Sequence, residues 1–236
     1  MELNYDFMWK TFSVILAGIP ITLKITLVSL LVATPFSFFM ALARIYEVKV
    51  LKDIARLYIS FIRGTPIVLQ ILVVYSLVPS LLNSLVKSLA LNIKVFEVDP
   101  IVYAYVVFTI NTAALLAEVF RSALLSVHEG QIEAGLSVGM TLPQIYVRII
   151  IPQALVAALP NLCNLSVNLI KNTSLAFLMT VKDITAIGKI QASYGYNYIE
   201  AYIDVFLVYF ILCSLAQWLF RLAEVRAGAF RQLKSY

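Results

Sequence analysis

The residues of this 236-residue chain that could do chemistry are few, and their types exclude most of it. One histidine, His128, and two distant cysteines, Cys163 and Cys213, give no cluster spaced for a metal. Both cysteines lie in apolar runs and read as buried free thiols. No GxxxxGK[ST] loop is present, so the chain has no phosphate cradle of its own. No base stands beside a serine or lysine nucleophile. What remains is polar but not catalytic. Glu118 and Arg121, three residues apart, can pair on one helix face and lessen the cost of charge near a membrane. Asn111, Asn164 and Asn168 stand in apolar surroundings, where a polar side chain either bonds a neighbouring helix or lines a solute path.

The densest polar stretch is residues 130–152, GQIEAGLSVGMTLPQIYVRIIIP, with His128 and Glu129 just before it. Ile132, Leu136 and Met140 recur at helical spacing, Gly139 supplies a permissive hinge, and Pro143 can open a second helix in its first turn. Two short helical pieces are therefore expected, the second running through Ile145, Ile149 and Pro152 into an apolar segment. Such an exposed helix-turn-helix, tethered at both ends, suits docking into a partner's groove.

The elements that must carry these residues follow from composition. The chain is 61% hydrophobic and 13% charged, with a mean hydropathy of +0.91. Soluble domains are about 45–50% apolar and ~25% charged. The excess is spread along the chain, so the fold class is an all-α integral membrane protein with about five spans of ~20 residues. They are placed within residues 18–43, 57–82, 101–120, 151–170 and 201–220. Residues 83–100 form a polar connection, with a surface helix possible over 81–91. A re-entrant or surface helix is expected near 174–180, and Pro160 can kink the fourth span. The net charge of +5 is explained by basic residues near anionic headgroups and implies no nucleic acid. The opening MELNYDFMWK lacks a basic stretch and reads as a short external tail rather than a signal peptide.

Five spans put the termini on opposite sides. Placing the 44–56 connection, the 121–150 connection and the C-terminal end in the cytoplasm puts every arginine at or close to that side. The outer connections then carry lysines only. Residues 1–17 are thus read as an external N-terminal tail, 18–222 as the membrane domain with its polar loop at about 128–150, and 223–236 as a basic cytoplasmic tail.

Several segments carry a resemblance, in order along nearly the whole chain. Glu133-Ala134-Gly135, then Gly139, then Ile151-Pro152 resemble the EAA loop of ABC-importer permeases. Arg63-Gly64-Thr65-Pro66 resembles that family's Arg-Gly-Thr-Pro signature. Here Gly64 permits close helix approach, Pro66 frees a backbone carbonyl, and Arg63 stays near headgroups. Glu118 and Arg121 followed by Gly130 resemble the approach to the loop, and Lys171-Asn172-Thr173-Ser174 resembles its Lys-Asp-Thr-Ser element. Two departures matter. Gly135 stands where a second alanine is usual, which makes the coupling helix less stiff by roughly 1 kcal/mol. Asn172 replaces an acid, so no role needing a carboxylate carries over there.

The chain is identified as similar to type I permeases of the polar amino-acid family, the histidine, glutamine and arginine type, and most similar to permeases for L-cystine. The resemblance implies a prokaryotic cytoplasmic membrane, multi-pass, with the N-terminus outside and the C-terminus inside. It implies a second permease chain, identical or a sister, ABC ATPase subunits that hold ATP and Mg, and an extracytoplasmic amino-acid-binding protein. No cofactor is expected on this chain, which is a transport subunit and not an enzyme. Gly130, Glu133, Ala134, Gly135, Gly139 and Pro152 would couple to the ATPase; Asn111, Asn164 and Asn168 would line the solute path. The rivals are a secondary transporter or channel working without an ATPase, and a membrane scaffold. Co-purification of an ATPase separates the first, and loss of transport on Glu133 substitution the second.

Overall fold

The computed structural model describes residues 3–232, and among these every regular element is helical. Ten α-helices follow in order: α1 Tyr5–Ile15, α2 Ile19–Ile45, α3 Leu51–Arg63, α4 Ile67–Ser88, α5 Pro100–Leu125, α6 Gly130–Ser137, α7 Leu142–Ile145, α8 Ile151–Asn172, α9 Ile184–Ser193 and α10 Tyr198–Gln232. 3₁₀-helices at Leu16–Gly18 and Thr173–Met179, the second where a short helix was expected near 174–180, and a π-helical stretch at Tyr146–Ile150 join some of them. Five continuous helical segments are long and apolar enough to cross a bilayer: Tyr5–Ile45, Ile67–Ser88, Pro100–Leu125, Leu142–Met179 and Tyr198–Ala227.

The centre of the bundle is α5, packed against α2, α3, α4 and α8, while α10 packs against α8, α9 and α1. The α2–α5 contact is close because, apart from Ile25, the residues α2 turns inward are small. Thr22, Thr26, Ser29, Ala33, Ser37 and Ala41, spaced three and four apart, are all buried, and Ala104, Ala113, Ala114 and Ala117 are buried on α5. Small faces let helix backbones approach where no hydrophobic effect drives them together. The Ser37 hydroxyl bonds Ala33 O within its helix (2.7 Å) and lies 3.0 Å from Ala113 O of α5. Leu31, Phe36 and Phe39 of α2 face outward, where lipid is the solvent.

Several boundaries differ from expectation. Residues 5–15, expected as part of a tail, form α1, capped by the Asn4 side chain (3.0 Å from Phe7 N). Asn4 N also donates to Glu200 of α10 at 3.1 Å, so this segment is clasped to the bundle. The second span begins at Ile67 and not near Leu57. Pro66 has no N–H to continue a helix and sits in extended backbone (ψ 134°), so the apolar run 57–82 is cut between α3 and α4. No separate surface helix forms over 81–91, because α4 runs on to Ser88. The fourth and fifth spans extend beyond their expected limits, α8 passing through Pro160 without interruption. Residues 233–236, the end of the expected basic tail, lie outside the described residues.

Candidate coupling loop and solute face

Between α5 and α8 the chain folds into the helical hairpin its sequence calls for. The His128 imidazole accepts from Gly130 N at 3.0 Å and so caps α6. The far end of α6 closes with two bonds, Gly139 N to Leu136 O and Met140 N to Gly135 O, both 3.0 Å. This pairing is a Schellman motif and requires a left-handed residue after the cap. Gly139 supplies it at φ +81°, with open space around its Cα. Thr141 then opens α7 with a capping box, its N–H donating to Gln144 Oε1 at 2.9 Å, and Pro143 sits in the first turn.

The hairpin has one inner and one outer face. Ile145 is fully buried against Ala41, Ala123 and Leu124 at the end of the bundle. Gly135 is buried against it, and a Cβ there would stand 2.6 Å from Ile145 Cγ1 and 2.7 Å from Cδ1. The glycine at this position is therefore a packing requirement, since it lets α6 lie directly on α7; the expected loss of stiffness is secondary. Glu133 and Ala134 point outward, beside Leu136 and Val138, which are 50% and 75% exposed. Gly130 is half-buried at the start of α6 and Pro152 is exposed in the first turn of α8. A hairpin that displays Glu133, with Glu129 exposed one turn before it, among apolar side chains is a ready-made docking face. Tyr46, just past α2, donates to the Tyr146 hydroxyl at 2.6 Å and ties the hairpin's exit to a second span.

The pair expected between Glu118 and Arg121 is present at 3.2 Å, but it is half of a larger cluster. Arg44 from the end of α2 bonds Glu118 Oε1, and Arg63 from the end of α3 approaches the same oxygen at 4.0 Å. One carboxylate thus joins α2, α3 and α5. Arg44 and Arg63 stand 74 and 55 residues before Glu118, a separation no local pattern reveals.

The Arg63–Pro66 turn is held by a residue that sequence reasoning missed. Pro66 leaves the Ile62 carbonyl free, as expected, and the Gln70 amide donates to it at 2.9 Å. The same amide nitrogen lies 2.9 Å from Thr65 Oγ1 and 3.1 Å from Thr65 O. Gln70 Oε1 in turn accepts from Asn111 Nδ2 at 3.0 Å. Asn111 therefore belongs to an interhelical bond between α4 and α5. Gly64 does not serve helix approach, because the atoms nearest a Cβ there are carbonyls of its own helix, Ser60 O at 2.9 Å and Phe61 O at 3.8 Å. Replacing Gln70 by alanine is expected to lower stability by about 1–3 kcal/mol, because it leaves Ile62 O to the long 3.4 Å bond from Thr65 Oγ1 and strips Asn111 of its partner. Asn111→Ala removes one bond and should cost only about 1 kcal/mol. Thermal midpoints of the detergent-purified variants measure both.

Asn164 and Asn168 have different surroundings. Both are exposed on α8, and with Asn161 and Lys171 they form one stripe at spacings of three and four. No hydrogen bond engages these four side chains among the described residues. Lys171 borders a groove of about 410 Å³ with Phe206, Tyr209, Phe210, Ser214 and Gln217 of α10. Thr173 is buried, bonding Ile170 O at 2.6 Å, and Ser174 is half-buried beside it. Thr173 holds the segment after α8, and neither residue lines the groove. Past that turn, Asp183 caps α9 through Thr185 N (3.2 Å) and Ala186 N (2.8 Å) and accepts from the Tyr209 hydroxyl at 3.1 Å. Burial pushes its carboxyl above the usual carboxylate range, against the pull of those bonds.

Known proteins are similar to this chain in sequence and fold. The chain is 37% identical over 210 residues to the L-cystine transport system permease protein TcyL of Bacillus subtilis (strain 168), covering 89% of this chain and 85% of that one. It is 38% identical over 221 residues to the octopine transport system permease protein OccM of Rhizobium meliloti, covering 92% and 87%. A crystal structure of an amino acid ABC transporter with histidines superposes with a TM-score of 0.79 at 29% identity, over 96% of this chain and all of that one. Residues 33–228 match the model of a binding-protein-dependent transport system inner membrane component, and with five spans around a tethered helical hairpin, the chain belongs to that family.

Proposed function

We infer that this permease subunit carries a polar amino acid inward, with L-cystine as its solute, driven by separate ATPase chains that dock on the α6–α7 hairpin. The observation that carries the coupling is the outward display of Glu133 and Ala134 on a hairpin whose inner face is locked by Gly135 and Ile145. Closure of the ATPase pair on ATP and Mg would push α6, and the hairpin would pass that displacement to α8 directly and to α2 through the Tyr46–Tyr146 bond. The hairpin then faces the cytoplasm, the N-terminus lies outside and the C-terminus inside.

The stripe of Asn161, Asn164, Asn168 and Lys171 supports a path along α8 that a second permease chain, identical or a sister, would close. A zwitterion shedding water needs partners for its ammonium and its carboxylate. Asparagine carbonyls suit the first and the Lys171 ammonium suits the second. Cystine, with two of each group, is served by a stripe that repeats polar contacts over about 15 Å of helix. Similarity to TcyL supports the same solute. An external binding protein would deliver it.

The test is ATP hydrolysis by the permease reconstituted with the ATPase that co-purifies with it and its binding protein, against cystine, octopine, glutamine, histidine and arginine. Hydrolysis should rise with cystine. Glu133→Ala should lower the coupled rate about fivefold, the loss of roughly one charged contact. Gly139→Trp should lower it about tenfold, through the strain of a bulky residue in left-handed backbone. Solute uptake with no ATPase in the preparation would overturn the coupling and favour a secondary transporter.

A further inference from the structure

Helix α3 separates two cavities of opposite character at the end of the bundle nearest the hairpin. On one side is an apolar cavity of about 450 Å³ lined by Phe36, Phe39, Ala43, Ile54, Tyr58 and Ile110. On the other is a cavity of about 410 Å³ lined by Arg44, Arg56, Ser60, Arg63 and Glu118. The helix itself is amphipathic, with Ala55, Ile59 and Ile62 buried and Leu57 and Phe61 74% and 64% exposed. A helix with that apolar stripe and a basic face lies at a membrane surface.

The charges around the basic cavity do not cancel. Among the described residues Glu118 is its only acid, and it is already engaged by Arg44 and Arg121. Arg63 makes one ion pair among the described residues, at 4.0 Å to the same carboxylate, and is 54% exposed. Arg56 reaches Asp53 at 3.6 Å and Glu47 at 3.8 Å, both on the solvent side. Lys52 also meets Glu47, at 3.5 Å, and Lys49 stands nearby in sequence. Five cations thus face three carboxylates, and the Gly64 end of α3 sets Arg44, Arg63 and Arg121 against Glu118.

We propose that α3 is the seat of an anionic phospholipid, its phosphate held by Arg56 and Arg63 and one acyl chain laid in the apolar cavity beneath Tyr58. Arginine forks match phosphate oxygens two at a time. The neighbouring apolar cavity selects a lipid over a free anion, because inorganic phosphate or a nucleotide gains nothing from Phe36, Phe39 and Ile110.

The test uses the full chain purified in detergent, titrated with phosphatidylglycerol or phosphatidylcholine and read by native mass spectrometry. Phosphatidylglycerol should remain bound at one molecule per chain under conditions that strip phosphatidylcholine. Arg56→Gln with Arg63→Gln should weaken that adduct about twentyfold, each arginine near an anionic surface counting for roughly a factor of five. Ala43→Trp, which fills the apolar cavity, should weaken it as well. In the unsubstituted chain, phosphatidylglycerol should slow amide exchange over residues 51–63 relative to phosphatidylcholine, a reading independent of variant folding. Equal retention of the two lipids would overturn the proposal. So would displacement by soluble glycerol phosphate with no effect of Ala43→Trp, which would make the basic cavity a free-anion site.

Discussion

Replacing Gly135 by leucine is expected to abolish coupling while leaving the membrane bundle folded. Even a single Cβ at this position stands 2.6 Å from Ile145 Cγ1, and Ile145 is wedged against Ala123 and Leu124 with no exposed surface. The core cannot yield, so α6 must lift off α7. Overpacking of this kind costs about 3 kcal/mol, equal to roughly a hundredfold in affinity for whatever docks on α6. Co-purification of the ATPase and coupled hydrolysis should fall by that factor, and the thermal midpoint of the spans should hardly move. The contact also predicts its own suppressor. Gly135→Ala, the residue more usual in such loops, should be impaired alone and partly restored by Ile145→Ala, which removes the two atoms it strikes. Normal coupling in Gly135→Leu would show that the packing of α6 on α7 does not set the docking face.

Removing Glu118 should cost more stability than removing any arginine around it. The carboxylate is 24% exposed and answers three cations from three helices, of which Arg44 is only 15% exposed. Glu118→Ala leaves Arg44 close to buried and unpaired. A fully buried broken pair costs 3–5 kcal/mol. Partial exposure and the remaining water reduce that here to about 2 kcal/mol. For a chain of this length that is a fall of about 6 °C in thermal midpoint. Arg44→Ala should cost less, since Arg121 and Arg63 still satisfy the acid. Exchanging both partners, Glu118→Leu with Arg44→Met, should recover much of the loss. A midpoint unchanged in Glu118→Ala would mean that the cluster is solvated and carries no stability.

The hairpin was legible because its signals are local. Gly139 and Pro143 each act on backbone within four residues, so their types announce a turn and a helix start wherever the chain goes, whereas the Thr141–Gln144 capping box went unread. Glu118 and Arg121 were legible for the same reason. The cut between α3 and α4 was not, because residues 57–82 read as one apolar run. What makes the cut stable is Gln70, a side chain eight residues downstream that bonds the carbonyl Pro66 sets free. Arg44 and Asn111 were opaque in the same way. Both stand in helices whose periodicity predicts a face, but the partner on that face lies 74 residues away for Arg44 and 41 for Asn111. The exposed asparagines of α8 show the converse: a stripe at helical spacing is visible in the sequence, and only the fold reveals that nothing among the described residues covers it.

The last helix also gauges the membrane. From Tyr198 to Trp218, both exposed aromatics, α10 rises about 30 Å, the hydrocarbon thickness of a bilayer. Aromatic rings of this kind settle at the two headgroup levels. The remaining residues, Leu219 to Gln232, continue the same helix for about 20 Å. Fitting the whole of α10 inside the hydrocarbon would need a tilt near 55°, well beyond the roughly 40° that spanning helices reach. The final turns, with Arg221, Glu224 and Arg226, must therefore stand clear of the lipid as a post beside the hairpin's end of the bundle. A thicker or thinner bilayer would move the waterline along that post without unwinding any helix.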